Sequence, residues 1–314
     1  MRTGLLVGIV SGLVSALLFY SAARGGAVLR PFILLLIPLP SLVAGLGWGW
    51  LSAAAAALAG ALTVAIAVSG TVAIGFVLTL GAPIVLAAYL AYLSRPNPND
   101  ANTRQWYPPG RLIAGMAIYA GALPVLLLPL VGGSYEAMRP LMSEVMAQFS
   151  KRWLPPDGRL SEQALAEQTD WALIVLPAAL AVQWLAACAV NLYVAGRIVR
   201  ASGRLGRDWP DIASLSYPPT LGLALGLALV AANTSGIFAV IGTSFFGALL
   251  GAYLLAGLAL AHFISRRSAP WLVWVTYLGM FFLWPFFMPA MVLAGFLEST
   301  FQLKQRLGWT SAST

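Results

Sequence analysis

The sequence predicts an all-α fold, a polytopic transmembrane helix bundle of about 8–10 membrane segments with a short amphipathic helix in one outer loop. Three observations predict it. Of 314 residues, 60% are hydrophobic and 9% charged, against roughly 45–50% and about 25% in soluble domains. Apolar stretches close to the ~20 residues that a helix needs to cross the hydrocarbon recur along the chain, divided by short polar loops. No Asp or Glu falls inside these stretches, and the first acid, Asp100, sits in a loop. One membrane domain is expected, organised as N-terminal helices over 1–132, an outer amphipathic loop over 133–170, and C-terminal helices with a cytoplasmic tail over 171–314.

Spans are expected near 4–22, 31–48, 49–68, 71–93, 112–132, 171–195, 218–234 and 236–263, with a last apolar stretch at 270–297. The first stretch, with Arg2 before it and Ser21-Ala22-Ala23 after it, has the outline of a signal peptide. Its long apolar run and the immediate start of the next one favour an uncleaved helix. In the last stretch Pro285 and Pro289 each remove a helix hydrogen bond. A hairpin of two short helices is the favoured reading, because it returns Lys304 and Arg306 to the cytoplasmic side.

Arginines set the orientation. Arg95, Arg104 and Arg111 share one loop, Arg197, Arg200, Arg204 and Arg207 another, and Arg266 and Arg267 a third. The span pattern puts all three on one side, which the positive-inside rule makes the cytoplasm. The opposite side receives the 133–170 loop, with its six acids and four bases, and also Arg24 and Arg30, which run against the trend. Within that loop Met138, Leu141, Met142, Val145, Met146, Phe149 and Trp153 recur at helical spacing, and Ser134 stands at the N-cap position. An amphipathic helix over 135–153 follows, lying on the membrane or across the bundle mouth. A turn at Pro155-Pro156-Asp157-Gly158 and a second short helix over 160–169 complete the loop.

The residue inventory narrows the chemistry. Neither lysine, Lys151 or Lys304, follows a glycine-rich phosphate loop, so nucleotide hydrolysis by this chain is not expected. One histidine and one cysteine, Cys188, rule out the HExxH zinc motif, zinc ribbons and CxxC redox motifs. No cofactor is expected, and the sequence argues against an enzyme. Spans without carboxylates also argue against a carboxylate-based ion-coupled transporter. The net charge of +8 reads as topology, with no nucleic-acid partner.

Polar residues at membrane depth are Gln183, Asn191, Asn233, Thr243, Ser244 and His262. Interhelical hydrogen bonding accounts for most such groups, at about 1 kcal/mol each. For a ligand site, Gln183, Asn233, Thr243 and Ser244 are the candidates, in the outer half beneath the 135–153 helix. Gly4, Gly8 and Gly12 repeat at four-residue spacing, as do Gly222/Gly226 and Gly247/Gly251. Such faces let backbones approach closely, against a helix of the same chain or a docking partner. Tryptophans and tyrosines at span ends, among them Trp48, Trp106, Trp209 and Tyr217, suit interfacial anchoring. The arginine loop at 197–217 suits anionic headgroups or a soluble partner.

The glycine-rich first helix, Pro38-Leu39-Pro40 before Gly45-Leu46-Gly47-Trp48-Gly49, and the closing Gly295-Phe-Leu-Glu298 with a basic tail resemble the YybS-like DUF2232 family of predicted bacterial membrane proteins. That family looks distantly similar to the S components of energy-coupling-factor transporters. The resemblance implies a substrate-binding subunit in the bacterial cytoplasmic (inner) membrane, surrounded by the lipid bilayer, binding an unknown small molecule and energised in trans by ATPase subunits. It makes Gly4, Gly8 and Gly12 similar to the small-residue docking face of S components. The tail departs from the family pattern, with Glu298 where Asp is usual and Phe301-Gln302-Leu303-Lys304 after it. The alternative is an envelope scaffold or assembly factor acting through helix faces and the arginine loop.

Overall fold

The structure is a computed structural model and describes residues 2–26, 29–98, 100–133, 135–153 and 161–306. Seven stretches are helical, long and apolar enough to cross a membrane: Arg2–Arg24, Arg30–Trp48, Trp50–Ala67, Gly70–Tyr92, Pro109–Val131, Glu162–Ala201 and Gly236–Arg267. Shorter apolar helices cover Leu221–Ala232 and Trp271–Phe282. The chain is therefore an all-α, multi-pass membrane bundle.

The first helix, α1 (Arg2–Arg24), packs on α4 (Trp50–Ala67). Between them the second span is broken at Ile37 into α2 (Arg30–Leu36) and α3 (Pro38–Trp48). Pro38 and Pro40 cannot donate to the carbonyls of Leu34 and Leu36, and side chains bond the break: Ser15 Oγ donates to Ile37 O at 2.9 Å and Asn191 Nδ2 to Leu35 O at 2.6 Å. Gly49, at φ +93°, makes the tight reversal between Trp48 and Trp50, a conformation only glycine adopts readily. The fourth span joins α5 (Gly70–Phe76) to α6 (Ala82–Tyr92) through a π-helical turn at Val77–Gly81.

An antiparallel hairpin of β1 (Ser94–Asn97) and β2 (Asp100–Trp106) then leads to α7 (Pro109–Leu127). Polar, charged residues with no apolar alternation gave no strand signal there. The amphipathic helix α8 (Tyr135–Trp153) stands where its spacing placed it; Ser134 and the turn at 155–158 lie outside the described residues. The separate helix expected over 160–169 is instead the first part of α9 (Glu162–Ala201), capped by Ser161, whose Oγ accepts from Ala164 N at 3.2 Å. At 40 residues α9 is ~60 Å long, about twice the hydrocarbon thickness, so its N-terminal turns project and carry α8.

The second half holds α10 (Leu221–Ala232), α11 (Gly236–Arg267), α12 (Trp271–Phe282), α13 (Trp284–Phe301) and α14 (Leu303–Arg306). The span expected over 218–234 has only 12 helical residues, about 18 Å. The preceding segment enters the bundle without α-helix, turning once in a 3₁₀ helix at Ile212–Ser214: Asp211 binds Arg266 at the end of α11, while Tyr217 meets Tyr253, about four turns deeper. The last stretch does break before Pro285, at Leu283, and α13 carries the chain back to the arginine-rich end.

That end is knitted by its own loops. Arg207 Nη1 donates to Ala91 O at 2.5 Å, Arg204 stands over Trp48, and Lys304 Nζ donates to Ala213 O and Leu215 O at 3.0 and 3.1 Å. All three arginine loops and α14 thus share one end of the bundle, while Arg24, Arg30 and α8 occupy the other. Lys304 is 3% exposed and Glu298, 3.5 Å away, is 2% exposed, so the expected basic amphipathic tail is a buried ion pair at its root. Burial pushes the Lys304 ammonium below its ordinary range, against the opposing pull of Glu298.

Candidate functional site

A cavity of about 750 Å³ lies in the half of the bundle away from the arginine loops. Its wall comes from α1, α2, the π turn, α7, α8 and α9, and apart from α1 the helices bordering it are short, proline-interrupted or amphipathic. Pro124 in α7 and Pro177 in α9 both line it; they cannot donate to the carbonyls of Ala120 and Leu173, which line it too. Broken helices with displaced backbone groups are the usual frame of binding sites at membrane depth.

The π turn is held open from the side. Tyr119 donates to Leu78 O at 2.6 Å and Trp184 Nε1 to Thr79 O at 2.8 Å, with the two rings 5.6 Å apart. These bonds satisfy carbonyls that the wider turn displaces, as buried backbone in lipid requires. On the other wall Asn191 bridges Leu35 O and Ala187 O. Met138 and Met142 of α8 close the side away from the arginine loops, and α8 is tied to α9 by Arg139–Asp170 at 2.8 Å. Methionine fills irregular apolar space adaptably, which suits a cover.

Gln183 lines this cavity and makes no hydrogen bond among the described residues. Thr79 Oγ1 donates to Gly75 O and the Trp184 indole is bonded as above, so Gln183 is the wall side chain left with donors and acceptors for a ligand. The other three candidates stand elsewhere. Asn233 bonds Leu229 O of its own helix, Thr243 bonds Ala239 O and Val240 O, and Ser244 is buried among neighbouring helices with no partner among the described residues. The structure therefore brings Gln183 beneath α8 without Asn233, Thr243 or Ser244. His262 lies toward the arginine-rich end, its Nε2 3.0 Å from Tyr277 Oη.

A Cβ on Gly8 or Gly12 would fall on the carbonyl of Ser52 or Ala56, and Ser52 Oγ donates to Gly4 O at 2.7 Å. The glycine face of α1 is thus occupied by α4 of the same chain. The opposite face, with Leu6 and Leu17 each 63% exposed, is the one turned outward.

Sequence reasoning missed Tyr119, Trp184 and the π turn, because nothing in Val77–Gly81 distinguishes it from ordinary helix. The proline alignment was readable: Pro124 and Pro177 interrupt two apolar stretches and both reach one cavity. Among the described residues, no three of His, Cys, Asp and Glu are grouped to hold a metal.

No curated protein and no solved structure matches this chain. Residues 13–298 match the profile of a family described as "Predicted membrane protein (DUF2232)". With that match running from the middle of α1 to Glu298 in α13, the chain belongs to the DUF2232 family of predicted membrane proteins.

Proposed function

We propose that this protein is a transporter-like substrate-binding subunit of a bacterial cytoplasmic membrane, holding a mostly apolar small molecule in the outer-half cavity and energised by ATPase subunits in trans. The observation that carries the reading is the cavity itself. It falls within the roughly 300–1,000 Å³ of small-molecule sites, is walled by apolar side chains, and offers one free amide, Gln183, to orient a ligand. The missing phosphate loop and the absence of acids from the apolar stretches support an external energy source.

Affinity purification of the full chain from native membranes tests the assignment. Recovery of an ATPase pair with a coupling subunit is the expected result. Recovery of envelope assembly proteins alone, with no ATPase, would favour the scaffold. Because Trp48 of α3 covers Gly4 and α4 covers Gly8 and Gly12, the outward leucine face of α1 is the available contact in either case.

Orientation is tested separately. With Cys188 replaced, Gln163→Cys will react with an impermeant thiol reagent in intact cells and Ser202→Cys will not, because the arginine loops face the cytoplasm in this account. The reverse pattern inverts the assignment and places the cavity on the inner side.

A further inference from the structure

A second pocket opens at the arginine-rich end, about 290 Å³ in size, lined by Arg200, Gly203, Leu205, Arg207, Asp208 and Trp209. Its shape follows from how α9 ends. Gly203, at φ +69°, turns the chain in the left-handed region, and Arg204 N closes the turn by donating to Val199 O at 3.1 Å. The chain then folds back so that Arg207 and Trp209 face the last turns of α9. Arg207 is fixed there by bonds to Ala91 O and Asp208 O and by stacking over Trp106. Trp209 is wedged against Gly196, where any Cβ would meet its ring.

Donors without acceptors collect in this pocket. Arg200 makes no ion pair or side-chain hydrogen bond among the described residues, and the buried Trp209 indole N–H has no acceptor among them. Of the nearby acids, Asp211 is neutralised by Arg266 at 2.7 Å, which leaves Asp208 as the counter-charge against two arginines. Trp48, carrying Arg204, and Trp106, under Arg207, mark the level as the membrane–water interface. A fixed arginine beside a free one, with tryptophans at headgroup depth, fits a phosphate group better than a carboxylate-bearing or neutral ligand.

We propose that this pocket binds a phosphate group, bonded by Arg200 and Arg207, carried either on an anionic lipid headgroup or on a soluble phosphate. The site is separate from the outer cavity and stands independently of the function assigned to it.

The test titrates the detergent-purified full chain with dioctanoyl-phosphatidylglycerol, dioctanoyl-phosphatidylcholine and inorganic phosphate, read as bound adducts and melting temperature. Arg200→Gln and Asp208→Asn are compared with the parent, since both side chains are exposed and neither closes the fold. Phosphatidylglycerol is expected to bind in preference to phosphatidylcholine, weakened about fivefold by Arg200→Gln and tightened by Asp208→Asn. Arg200-dependent displacement of the lipid by inorganic phosphate would support the pocket and assign the ligand to solution; no displacement would support the pocket and assign it to the lipid. Equal binding of both lipids, unmoved by Arg200→Gln, overturns the proposal.

Discussion

Lys304→Met will destabilise the folded protein by about 3–5 kcal/mol, among the largest effects expected of any single substitution here. The lysine is almost wholly buried, and removing it strands the Glu298 carboxylate and the carbonyls of Ala213 and Leu215 together. Those carbonyls belong to the unwound segment that enters the bundle before α10. Non-helical backbone at that depth persists only where protein groups bond it. Glu298→Gln is expected to cost less, because the amide oxygen can still accept from Lys304 N, now 3.1 Å from the carboxylate. Arg266→Gln breaks an ion pair whose partners are more than half exposed and should cost under about 1 kcal/mol. Melting temperatures of the three variants in one detergent check the order. Equal losses would mean that the buried pair does not hold the unwound segment.

The second large effect is Gly8→Leu. A Cβ at this position already collides with the main chain of α4, and the remaining side-chain atoms have nowhere to go unless the two helices part. Overpacking costs about 1–3 kcal/mol where a core can adjust, and more where backbone is the obstacle. Gly226→Leu is the control, for no atom lies within 4 Å of a Cβ there. The expected outcome is a marked fall in melting temperature for Gly8→Leu and none for Gly226→Leu. A Gly8→Leu protein of unchanged stability would contradict the α1–α4 contact.

The same comparison shows what the sequence can and cannot reveal. Four-residue glycine spacing marked Gly8, Gly12 and Gly247 as close approaches, and each meets a neighbouring helix; Gly226 shares the spacing and meets nothing, because spacing defines a face but not what lies opposite. Span positions were legible since hydropathy and length are local quantities. The depth of Glu298 and Lys304 was not, because it depends on a tertiary event, the entry of the 211–217 segment whose Ala213 and Leu215 carbonyls Lys304 bonds. For the same reason Gln183 could be marked as polar at depth, while its separation from Asn233, Thr243 and Ser244 depends on which helices neighbour α9. The π turn is set by Tyr119 and Trp184, residues on two other helices, so no local reading of Val77–Gly81 could find it.

Native mass spectrometry of the purified full chain, compared with Ala187→Phe, tests whether the cavity beneath α8 holds a ligand. Ala187 lines the outer cavity, and a phenyl ring there occupies space a ligand would need. The expected result is a non-covalent apolar adduct on the parent protein that Ala187→Phe loses while the melting temperature of the ligand-free protein is kept. An adduct retained unchanged on the variant, or no adduct on either protein, would contradict a ligand site in this cavity.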